Sequence, residues 1–192
     1  MQTERQIQII EKSIELIANQ GIQGFTIKNL SKAIGISEPA IYRHFDSKTG
    51  ILIAILNNFK EMSEMMSFMI VEIEGTAIEK VKFLFSKMFE IFAEQPAIIS
   101  VIFSEEIFQN EIVLKEKILE IHNIQQSNIE GVIGEGQADK SIRLDIDKAT
   151  IALILMGSLR LLVKRWELNQ QNFNLEKEGE KLMDSFKVLM EK

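Results

Sequence analysis

Between Thr26 and Lys48 the chain reads TIKNLSKAIGISEPAIYRHFDSK, and the apolar spacing of that stretch admits few folds. Ile27, Leu30 and Ile34 fall three and four residues apart, the period of one helical face. Thr26 is placed to cap that helix. Gly35 follows its last apolar residue, where a residue without Cβ takes φ > 0 without a steric penalty. After Ile36, Ser37 is placed to cap a second helix, with Pro39 in its first turn, where no backbone N–H is needed. On this second helix Ile41 and Phe45 lie four apart and point inward. Glu38, Pro39, Ala40, Tyr42, Arg43 and His44 are left facing outward. An exposed polar and aromatic row backed by a buried pair is what a helix entering a DNA major groove requires.

The flanking sequence builds the rest of a helical protein. Ile7, Ile10, Ile14 and Ile17 repeat at helical spacing over residues 4–20, up to Gly21, which predicts a first helix closing a three-helix head. Asp46 or Ser47 is placed to cap a fourth helix. Lys48 falls in its first turn, and a lysine at a helix N-terminus suits a phosphate. That helix continues through Ile51, Leu52, Ile55, Leu56 and Phe59 into Met62, Met65, Met66 and Met69. Gly75 and Thr76 open a fifth helix over 77–94 with an aromatic face including Phe85, Phe89 and Phe92. Pro96 resets the chain. Residues 97–109 are apolar apart from a few polar side chains that include the adjacent acids Glu105 and Glu106. These point about 100° apart on a helix and form no matched acid–base pair.

A further helix is expected from about Glu111 to Gly134, carrying His122, and GEGQADKSIRLDI (134–146) reads as the clearest loop. Asp147 is placed to cap a helix over 148–168 that is apolar on nearly every side in its first half. The last helix is expected at about 176–190. A helix apolar all round must be buried all round. In a chain this short a subunit interface does that, with Gly157 and Ser158 allowing close approach. The last two helices of two copies would form a four-helix dimer bundle. The fold class is all-α, with about nine helices.

Charge is distributed in the same sense. The net charge of −6 argues against nucleic acid only as an average. Residues 1–48 carry six of the 22 basic side chains and five of the 28 acidic ones, so the head is near +1 and the remainder near −7. The chain has no cysteine, so no disulfide or thiolate chemistry arises. The start MQTERQIQ lacks the apolar core of a signal peptide, and no apolar run reaches membrane-spanning length. A cytoplasmic protein without a membrane partner is expected. His44 and His122 stand far apart, and the chain shows no metal-ligand spacing, nucleophile motif or phosphate loop. An enzyme, a metal centre and a cofactor are therefore not expected.

The first fifty residues resemble the TetR family of bacterial transcriptional regulators. The resemblance is carried by Phe25-Thr26, by Leu30-Ser31-Lys32-Ala33-Ile34-Gly35-Ile36-Ser37, and by Ala40-Ile41-Tyr42-Arg43-His44-Phe45 followed by Ser47-Lys48. The remaining residues are similar to the family only in outline. Thr49-Gly50 departs from the acid usual after the lysine, and Lys140 stands where glycine is common. The resemblance implies a helix-turn-helix DNA-binding domain at 1–48 and a helical ligand-binding and dimerisation domain at 49–192. It implies phosphate contacts from Thr26, Lys28, Ser37, Tyr42, His44 and Lys48, and base readout by Glu38, Pro39, Ala40 and Arg43. It further implies a homodimeric repressor on a near-palindromic operator in double-stranded DNA, released by a small, mostly apolar effector. The residues expected to line the effector cavity are Phe59, Met62, Met66, Phe85, Phe89, Phe103, His122 and Gln125. The alternative is a DNA-bound interaction protein whose helical body takes a protein partner.

Overall fold

Side-chain caps fix where most of the helices begin. The structure is a computed structural model that describes residues 2–104 and 111–191. Thr3 and Gln6 form a reciprocal capping box at the start of α1, Glu4–Gly24. Thr26 Oγ1 accepts the Asn29 N–H at 3.1 Å and opens α2, Ile27–Ile34. Ser37 precedes α3, Glu38–Tyr42. Ser47 Oγ accepts the Gly50 N–H at 3.0 Å at the head of α4, Lys48–Glu72. Thr76 and Glu79 box the start of α5, Ala77–Glu94. Then come α6, Ala97–Ile102, and α7, Ile112–Ala138. Asp147 caps α8, Lys148–Leu168, and Asn174 caps α9, Leu175–Met190. These nine helices are all the regular structure among the described residues, as the all-α reading expects.

The chain divides into two compact units, Met1–Glu61 with Ala97–Glu120 and Met62–Pro96 with Ile121–Lys192. In the first, α1 packs on α2 and α6, and α2 packs on α3. Its centre is Ile9, Phe25, Leu30, Ile41 and Ile51, none of which has any exposed surface. In the second, α9 packs on α5 and α8. Gly179 is what lets α9 lie so close. A Cβ there would stand 2.3 Å from Cδ2 of Phe89, which is itself 1% exposed.

The structure corrects two expectations. The buried stripe of α1 is Ile9, Ile10, Ser13, Leu16 and Ile17, not the stripe through Ile7, which is 43% exposed. Ser13 belongs to that stripe because its hydroxyl donates to the Ile9 carbonyl at 2.7 Å, which satisfies the buried group locally. Gly21, at φ 66 and ψ 178, breaks the helical backbone of α1 where the sequence places the stop, and a short turn runs on to Gly24. Gly134 and Gly136 do not open a loop, because α7 continues to Ala138. A Cβ on Gly136 would meet Ile142 at 2.6 Å and Ala77 at 2.7 Å, so this glycine serves close packing. The chain turns at Lys140, whose φ of 67 is the left-handed conformation glycine favours. The expectation for Glu105 and Glu106 lies outside the described residues.

Candidate functional site

The helix-turn-helix stretch is held by local chemistry. The Gly35 N–H, at φ 79, and the Ile36 N–H both donate to the Ser31 carbonyl, at 2.9 and 3.0 Å, and so end α2. α3 is short. Beyond Tyr42 the chain keeps two backbone bonds to Ile41, from the His44 N–H at 2.9 Å and from the Phe45 N–H at 3.0 Å. Ile41 is wholly buried, while Phe45 is only half-buried, a shallower anchor than the spacing implied. Gln6 of α1 donates to the His44 carbonyl at 3.4 Å and ties α1 to the end of this stretch. Of the expected outward row, Glu38, Pro39, Tyr42 and Arg43 are exposed while Ala40 and His44 are half-buried; Thr26, Lys28 and Ser37 are exposed as well. Ser37 sits at the cap position without a side-chain bond to the helix, so its hydroxyl stays available outward.

Lys48 is placed differently from an ordinary surface lysine. Its Nζ donates to the Ile22 carbonyl at 3.3 Å and lies 5.2 Å from the centre of the Phe25 ring. Its partial burial pushes the ammonium pKa down from its ordinary value. An ammonium has three donors, so one bond to Ile22 leaves two for a phosphate.

In the second unit a cavity of about 130 Å³ opens between the later part of α4 and the outer side of α5. Its wall presents only apolar atoms, from Met62, Met65, Met66, Met69, Ile70, Phe83, Leu84, Lys87 and Ile91. Met62 and Met66 were expected there; the other seven were not. Phe85 and Phe89, each 1% exposed, are enclosed in the core on the other side of α5. Gln125 donates to Ser63 Oγ at 3.2 Å, and Asn128 donates to Ser67 Oγ at 2.5 Å, so two polar bonds join α7 to α4. His122 is half-buried, and burial together with the nearby Arg160 charge pushes its pKa below the ordinary value. Phe59, buried, and Phe103, half-buried, belong to the first unit.

The outer face of α8 is apolar and uncovered in the single chain. Leu153, Leu161 and Leu168 are 66%, 63% and 72% exposed, and Val188 and Leu189 of α9 are 74% and 60% exposed. No atom lies within 4 Å of a Cβ built on Gly157.

Comparison with known proteins decides the family. Residues 9–55 match the family model for bacterial regulatory proteins of the tetR family. Residues 78–191, more than half of the chain, match the C-terminal region of the MAATS-type transcriptional repressors. The chain belongs to the TetR family. It is a DNA-binding transcriptional regulator and not an enzyme.

Within the TetR family, the fatty acid metabolism regulator protein of Bacillus subtilis is 28% identical over 172 residues, covering 88% of this chain and 87% of that one. The crystal structure of the transcriptional regulator FadR from Bacillus subtilis in complex with stearoyl-CoA matches with a TM-score of 0.80 at 26% identity. It covers 93% of this chain and 95% of that one. The ketosteroid regulator KstR2 of Mycobacterium tuberculosis shares the fold, with a TM-score of 0.85 at 18% identity, over the whole of this chain and 97% of that one. Among the described residues of this TetR-family chain, no helix is long and apolar enough to cross a membrane.

Proposed function

We propose that this chain is a homodimeric repressor that leaves a near-palindromic operator when a fatty acyl-CoA occupies its helical body. The observation that carries the reading is the match over about nine-tenths of the chain to a regulator whose solved complex holds stearoyl-CoA. The apolar cavity between α4 and α5 supports it, because an apolar, methionine-rich wall suits a hydrocarbon chain. Its size, near that of a benzene site, suits the end of a long acyl chain.

In this reading two copies pair through α8 and α9, covering Leu153, Leu161 and Leu168. The pairing holds the two α3 helices about 34–36 Å apart, in successive major grooves. Thr26, Lys28, Ser37, Tyr42, His44 and Lys48 hold phosphates, and Glu38, Pro39, Ala40 and Arg43 meet base edges. The acyl ligand favours a position of α4 that changes the separation of the two heads. Its leverage is its difference in affinity for the two states.

Three measurements test the reading. Analytical ultracentrifugation should give a dimer. Selection from random duplex DNA should return an inverted repeat. Palmitoyl-CoA should raise the melting temperature where coenzyme A alone does not, as mass action on the folded state requires. A monomer, or no stabilisation by any acyl-CoA, contradicts it. No stabilisation by acyl-CoA would favour a body that binds a protein instead.

A further inference from the structure

Met62, Met65, Met66 and Met69 recur at the i, i+3, i+4, i+7 spacing of one helical face, and all four line the α4–α5 cavity. They are four of nine methionines in a chain without cysteine, so thioethers are its only sulfur. Met65 is 64% exposed and Met69 41%, whereas Met183 and Met190 are 1% and 3% exposed. We infer that Met65 and Met69 are an oxidation site that sets the polarity of this cavity: a peroxide converts them to sulfoxides, and the oxidised wall no longer takes an apolar occupant.

The chemistry is a two-electron transfer from sulfur to peroxide. The thioether sulfur attacks one peroxide oxygen, an S–O bond forms and the O–O bond breaks. Sulfur is oxidised, and the departing hydroxide takes the proton of the new S–OH group, which leaves the sulfoxide and water. Hydrogen peroxide plus methionine thus gives methionine sulfoxide plus water.

The surroundings make the change consequential. A sulfoxide oxygen is a strong acceptor, and burying it without a donor is costly. The wall offers only apolar atoms. Lys87 turns its Nζ to Glu90 at 2.5 Å. On the neighbouring face of α4, the Ser67 hydroxyl already donates to the Ser63 carbonyl at 3.0 Å. The sulfoxides are therefore satisfied by water, which holds the space an apolar group would fill.

The test uses the full chain, hydrogen peroxide and benzene. Peptide mass spectrometry should find oxygen added at Met65 and Met69 before Met183 and Met190. Benzene should raise the melting temperature of untreated protein, since an apolar cavity of this size takes one ring. Oxidation should abolish that increment, and methionine sulfoxide reductase should restore it. The double variant Met65→Leu/Met69→Leu, near in volume, should keep the increment before and after peroxide. Uniform oxidation, an absent benzene increment in untreated protein, or an increment that survives oxidation overturns the inference. So does an increment lost equally in the double variant. Exclusion of an acyl ligand rests further on the function proposed above. There palmitoyl-CoA affinity should fall about tenfold on oxidation. Failure of palmitoyl-CoA to bind untreated protein would sink that function alone, while the benzene comparison still decides this one.

Discussion

The ammonium of Lys48 lies 5.2 Å from the centre of the Phe25 ring and donates to the Ile22 carbonyl, so the first turn of α4 is tied to the end of α1 and to the residue that follows it. Partial burial costs the ammonium, as its lowered pKa reflects, and the ring and the carbonyl offset part of that cost. Lys48→Met removes a partly buried charge together with its contacts, so folding stability in urea titration should change by less than about 1 kcal/mol. With the ammonium also on a phosphate, the slope of log affinity for operator against log salt should become shallower by about 0.9. Lys48→Arg should keep the slope. An unchanged slope in Lys48→Met would leave Lys48 as a strut with no phosphate contact.

Glu38 is the one acid in the exposed row of α3. A carboxylate near DNA phosphates is unfavourable unless it accepts from a base, and a cytosine amino group is the donor that fits. Glu38→Ala should raise affinity for mismatched operators relative to the true one, narrowing discrimination by about 1–3 kcal/mol at one base pair. Competition binding on single-base operator variants reads this directly. An equal loss of affinity on every duplex would refute the assignment.

Gly179 and Phe89 set the distance between α9 and α5. A methyl at Gly179 meets two ring carbons at 2.3 and 2.5 Å, and the ring is enclosed, so helix or ring must shift. Gly179→Ala should destabilise the fold by about 1–3 kcal/mol in urea titration. Adding Phe89→Leu should recover part of the loss, as expected of residues in contact. Additive losses in the double variant would mean the two are not coupled.

His122 gives the second unit a pH dependence. Burial and the Arg160 charge hold its folded pKa below the ordinary 6.5. Above that value the ring is neutral folded and unfolded, and stability is unaffected. As pH falls through about 6.5 and below, the unfolded chain takes the proton first, so stability falls. The urea midpoint should drop between about pH 7.5 and about pH 5.5, and drop less in His122→Gln. Equal drops in both proteins would remove His122 as the cause.

Features fixed by neighbouring residues were legible in the sequence. Thr26 and Asp147 cap their helices because a hydroxyl or carboxylate needs only an N–H three residues on. Gly35 ends α2 for an equally local reason. Features set by distant partners were not. Gly136 reads as a breaker, but Ile142 and Ala77 make it a contact point. Ile9 and Ile10 are adjacent, so two helical stripes fit α1, and packing against α2 and α6 selects one. In the cavity Met62 and Met66 were readable from their helix alone. Phe83, Lys87 and Ile91 were not, because α5 has apolar residues on two sides. Gly179, far along the chain, leaves the room that the Phe89 ring occupies on the other side of α5.

The central claim is that an acyl ligand and operator DNA oppose each other through one chain. Fluorescence anisotropy of a labelled operator duplex at fixed salt, titrated with protein in the presence and absence of palmitoyl-CoA, measures that opposition directly. An apparent affinity lowered at least about tenfold by palmitoyl-CoA and unchanged by coenzyme A is the expected result, a coupling of about 1.4 kcal/mol. An operator affinity unmoved at saturating palmitoyl-CoA would contradict it.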